Sequence, residues 1–115
     1  MQTWRLPEID TPEGSRSPVV LLSEDSGRAV LIGLDPGQAL GDHQVKEHAW
    51  IVVVDGTAQV SASGETVDAT VGTLVHFEPD ERHAVRSDAG AKVLLILAPW
   101  PGEGHYRGGR ADAPA

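Results

Sequence analysis

Two histidines carry most of the chemistry this sequence can offer. His43 follows Gly37 after five residues, and His83 follows Gly72 and Pro79 in a second glycine-framed segment. An imidazole can ligate a metal or move a proton near neutral pH. Carboxylates stand close by in sequence: Glu47 after His43, and Glu78 and Asp80 before His83. Two further histidines, His48 and His76, flank the same segments. The chain has no cysteine, so neither a disulfide framework nor thiolate chemistry is open to it.

Glycines and turn residues must position these groups. Short apolar runs recur between turn signals about every 8–12 residues, as in a β-sandwich or barrel. Strands are expected at Val19–Leu22, Ala29–Leu34, Trp50–Val54, Ala58–Ala62, Glu65–Ala69, Thr73–Phe77, Ala84–Arg86 and Lys92–Ala98. Asp35-Pro36-Gly37 and Ser63-Gly64 read as turns, and Asp55-Gly56 as a hairpin turn into Ala58. No window carries a helical stripe, and β-branched residues dominate the apolar runs. His76 falls on the strand leading to His83 and is expected at the surface of the sheet.

Ile51-Val52-Val53-Val54 and Val93-Leu94-Leu95-Ile96-Leu97 are apolar at every position. A strand with one face in water alternates, so both faces of these two should be covered. Residues 1–17 are expected to form an arm, 18–98 the barrel domain, and 99–115 an irregular tail rich in Pro and Gly. The second cover is then the arm or another subunit, and a homodimer is expected. Trp100, between two prolines, is expected to seal one end of the barrel.

The 115 residues suit one domain. A net charge of −8 argues against non-specific nucleic-acid binding, which needs a basic surface. No segment has the length and apolarity of a membrane span, and Met1 to Arg16 has no apolar leader core, so a soluble cytoplasmic protein is expected.

The glycine frames resemble the two motifs of the cupin superfamily. Gly37, His43, Val45, Ala49 and Gly56 keep the spacing of the first motif, where the family has Gly, His, His, Glu and Gly. Gly72, Glu78, Asp80, His83 and Ser87 occupy the slots of the second, with Pro79 one place late. The resemblance covers roughly residues 28–98 and implies an all-β fold of antiparallel sheets, the double-stranded β-helix or jelly-roll barrel. It also implies a site inside that barrel. Metal-bearing members use two His and a Glu from the first motif and a His from the second, a set suited to Fe, Mn, Ni, Cu or Zn. Here Val45 stands for the second His and Ala49 for the Glu, leaving His43 and His83. Two protein ligands rarely hold a divalent ion tightly. Rescue is open to Glu47, which has inward parity, and to His48 if a bulge turns it inward.

Three functions follow. The first is binding of a small organic molecule, such as an organic acid or phenol, among His43, Val45, Ala49, Ile51, Val53 and His83. The second is a metal-dependent dioxygenase or isomerase using His43 and His83 with His48 or Glu47. The third is a metal-free lyase, isomerase or epimerase with His43 or His83 as general base, oriented by Glu78 or Asp80. Neither the ligand nor whether the chain is catalytic is fixed by these residues. The closing role of Trp100 to Tyr106 is equally open.

Overall fold

The computed structural model describes residues 1–102. Among the described residues nine strands make up the fold: β1 (Val19–Glu24), β2 (Gly27–Leu34), β3 (Ala39–His43), β4 (His48–Gly56), β5 (Ala58–Ala62), β6 (Glu65–Ala69), β7 (Leu74–Phe77), β8 (His83–Arg86) and β9 (Ala91–Ala98). They form two antiparallel sheets, ordered β1-β2-β9-β4-β7 and β3-β8-β5-β6. Among the described residues the only helical pieces are single 3-10 turns at Leu6–Glu8 and Gly14–Arg16. The fold is the double-stranded β-helix that the cupin resemblance implies.

Strand alternation places the core. Ala49, Ile51 and Val53 of β4 point inward and are almost fully buried, as are Val30 and Ile32 of β2 and Val93 and Leu97 of β9. From the other sheet Val60 and Val85 meet them, and Phe77 closes the β7 side. The intervening residues of β4 (His48, Trp50, Val52) face outward.

One turn differs from expectation. Asp55-Gly56 does not close a hairpin: β4 belongs to the five-stranded sheet, whereas β5 pairs with β6 and β8. The chain changes sheets there. Gly56 has φ +73°, and a Cβ on it would lie 2.9 Å from Ala91 Cα and closer still to Gly90 O. Only glycine permits that corner to press against the β8–β9 turn. Ser63-Gly64 does close a two-residue hairpin, with φ of 53° and 79° and Ala62 paired to Glu65, as a type I′ turn demands. Strand β3 has no apolar run to announce it. Its alternation is masked by Gly41, Asp42 and His43, and it exists because β8 provides a partner.

The N-terminal residues lie on the outer face of the five-stranded sheet. Lys92 Nζ donates to the carbonyls of Pro7 (2.9 Å) and Ile9 (2.6 Å). Thr11 sits where a side chain on Gly33 would otherwise stand. Gln38 Oε1 accepts from the N–H groups of both Ser15 and Asp35, fastening this segment to the β2–β3 turn. Leu31, outward on β2, is fully buried. The cover is partial. Leu74 remains 63% exposed and Ile96 37% exposed on the same face.

Candidate functional site

His43 and His83 are cross-strand partners on β3 and β8. Their ring centroids lie 4.4 Å apart, tilted by 59°. His83 points into the barrel, is 3% exposed and stacks flat on Phe77 at 4.0 Å. His43 stands at the rim and is exposed. Each ring is oriented by a carbonyl two residues back. His43 Nδ1 donates to Gly41 O (2.7 Å), and His83 Nδ1 to Glu81 O (2.9 Å). A carbonyl only accepts, so the proton is fixed on Nδ1, and in the neutral ring Nε2 carries the lone pair. Burial pulls the pKa of His83 below its ordinary 6.5. His43 beside it acts in the same direction, while the Glu81 carbonyl and the charges of Glu81 and Asp42 oppose.

Glu78 and Asp80 do not orient His83 and stand as exposed turn residues. Asp80 pairs with Lys46 (2.8 Å), and the Glu78 carboxylate lies 3.8 Å from His48. The turn hands the orienting role to the Glu81 backbone instead.

Beside His43 a cavity of about 420 Å³ opens between the sheets. Its apolar wall is Val30, Ile32, Leu95 and Leu97, the inward faces of β2 and β9. Val45 lines it next to His43, so the apolar replacement in the first motif forms part of the wall. Pro18, Val20 and Arg28 complete it. The Arg28 guanidinium lies 4.8 Å over the Trp100 ring, and Trp100 packs against the core at that end. Of the six pocket residues expected from sequence, His43 and Val45 line this cavity. Ala49, Ile51, Val53 and His83 are packed in the interior behind it. Arg28 was not singled out from sequence. Its inward parity with Val30 and Ile32 was the available signal.

The four metal candidates do not converge. His48 does not turn inward, because β4 pairs in unbroken register with β9 from His48 to Val53 and the shift falls after Val53. Glu47 is buried, and its Oε2 accepts from Gly102 N–H (2.7 Å), which ties down the chain after Trp100. Only His43 and His83 are left together. Among the described residues no third His, Asp or Glu donor joins them within coordinating reach. The family's metal therefore does not fit this barrel interior, where Val45 and Ala49 offer no donor atom.

Residues 30–98 match the family model for the cupin domain. The chain belongs to the cupin family. Solved structures overlay most of it at low identity. An RmlC-like cupin from Desulfovibrio desulfuricans superposes with a TM-score of 0.74 at 23% identity, covering 86% of this chain and 97% of that one. A protein from Thermus thermophilus gives 0.75 at 22%, covering 86% and 98%. A conserved protein with a double-stranded β-helix domain from Klebsiella pneumoniae gives 0.73 at 18%, covering 86% and 90%. These likenesses concern the cupin barrel alone. No curated protein matches the sequence. Among the described residues no helix is long and apolar enough to cross a membrane.

Proposed function

We propose that this cupin binds a small organic molecule with an anionic or phenolic head, its apolar body lying in the cavity beside His43. The observation that carries this is the wall itself. About 420 Å³ of largely apolar space is lined by two residues with polar heads, His43 and Arg28. Ligand sites typically combine this size with few polar anchors. A guanidinium favours carboxylate or phenolate oxygen. A thermal-shift screen of small aromatic and branched carboxylates and phenols tests it. Binders should raise the melting temperature of the wild type, and V45W, which fills the cavity, should abolish the shift. The reading fails if no compound stabilises the wild type, or if V45W responds equally.

One observation supports a catalytic version of the same site. The Gly41 carbonyl holds the Nδ1 proton of His43, which leaves Nε2 as a base on the cavity wall. Proton transfer within a bound acid then needs no metal. Exchange of a substrate C–H proton with deuterated solvent, lost in H43A, is its test.

The second copy of this chain is the proposed partner. Its seat is the part of the outer sheet face left uncovered around Leu74 and Ile96.

A further inference from the structure

The donors missing from the barrel interior are found on its outside. Strands β4 and β7 pair Ala49 with Phe77 and Trp50 with His76. That register sets His48 opposite position 78, with His76 two residues back on the same face. Three donor atoms meet there: His48 Nδ1, His76 Nε2 and the Glu78 carboxylate, all within 4.8 Å of one another. His48 Nδ1 lies 3.0 Å from His76 Nε2 and 3.8 Å from Glu78 Oε2. Bond lengths to tetrahedral zinc place neighbouring ligand atoms roughly 3.3 Å apart, so the two distances bracket the required spacing. The His48 and His76 rings stack at 5.2 Å, and the Trp50 ring lies 5.8 Å and 5.1 Å from them. The indole limits how far either imidazole can swing, so the donors are held near one another before any ion arrives.

We infer that His48, His76 and Glu78 form a binding site for a divalent transition ion, Zn²⁺ foremost, at the β7 edge of the five-stranded sheet. Two imidazoles and a carboxylate are a set that zinc accepts, with an open position for water or another ligand. The site lies on the opposite face of β4 from Ala49 and does not depend on what occupies the cavity. A bound ion joins the end of β7 to the start of β4, and it stabilises the fold by mass action.

Isothermal titration of Zn²⁺ into the full chain, without a histidine tag and after chelator treatment, tests this. The wild type should bind about one equivalent, with a zinc-dependent rise in melting temperature. H76A and H48A should each weaken binding by at least about tenfold, since even indirect partners of a metal site cost that much. E78Q, which keeps shape and removes charge, should weaken it by a smaller factor. H83A should leave it unchanged. His48, His76 and Glu78 lie at the surface, so their variants should fold, and circular dichroism checks this. The inference is overturned if the wild type binds no more tightly than about 100 µM, far short of the affinity of built zinc sites. It is equally overturned if H76A retains wild-type affinity, or if H83A removes binding and so places the ion in the barrel.

Discussion

His43 and His83 face each other across one strand pair, rings 4.4 Å apart, yet one stands at the rim and the other is sealed on Phe77. The difference determines how His83 responds to pH. Its folded-state pKa is lowered by burial from the ordinary 6.5. As pH falls through 6.5 the unfolded chain takes up this proton before the folded one does. Stability from a neutral His83 is therefore complete above 6.5 and declines below it, toward the depressed folded value. Urea denaturation should show the wild type losing more stability than H83Q between about pH 7.5 and 5.5. By NMR the C2 proton of His83 should titrate below 6.5, and a midpoint above 6.5 would contradict the buried geometry.

Gly56 and Gly64 share nearly the same backbone, φ +73° and +79°, but not the same surroundings. A Cβ on Gly64 would meet nothing within 4 Å, whereas on Gly56 it would enter the backbone of Gly90 and Ala91. G64A should therefore cost only the left-handed conformational term, about 1–2 kcal/mol. G56A adds a clash with main chain that no rotamer relieves, and its cost should exceed that of G64A by about 2 kcal/mol or more. Paired urea titrations separate the two terms, and equal losses would show that the sheet-crossing corner relaxes freely.

Ser87 stands in the slot where the second cupin motif has Asn, and it joins the two motif frames. Its N–H and C=O bond Gln38 O (3.1 Å) and Gly37 N (2.8 Å). Its Oγ donates to Thr57 O (2.5 Å) and accepts from Gly90 N–H (2.8 Å). The side chain is fully buried, so S87A removes the partner of a part-buried carbonyl and a part-buried N–H. A loss of about 1–3 kcal/mol is expected, with the cupin fold retained by circular dichroism. A change below about 0.5 kcal/mol would mean that the crossover finds other partners.

The fold was legible because β4 and β9 combine apolar runs with glycine frames at fixed separation, and those features obey local geometry. The Asp55-Gly56 corner is not legible in the sequence, because a turn residue reports that the chain bends and says nothing about which sheet it enters next. The inward parity of Ala49, Ile51 and Val53 was also readable. Which inward residues face open space and which are packed over depends on how far the sheets stand apart, a tertiary quantity. Arg28 was missed for that reason. The His48–His76–Glu78 cluster depends on the β4–β7 register, which pairs residues 28 apart, and no local pattern carries that information.

The apolar outer face gives the last prediction. Strand β4 turns Trp50 and Val52 outward, β9 turns Leu94 and Ile96 outward, and β7 adds Leu74 at the sheet edge. The N-terminal residues cover the Lys92 and Gly33 end and leave Leu74 and Ile96 in contact with solvent. Apolar residues continuous across three strands to an open edge suit a copy of the same surface, because a two-fold contact lets each protomer cover the other's patch. Light scattering should give the mass of a dimer at micromolar concentration. The L74K/I96K variant should give that of a monomer, since each introduced ammonium would have to be desolvated in the contact. Both positions are exposed in the single chain, so the variant should keep its barrel and its far-ultraviolet spectrum. A wild type that scatters as a monomer at micromolar concentration would remove the proposed partner, and the exposed Leu74 and Ile96 would then be ordinary surface residues.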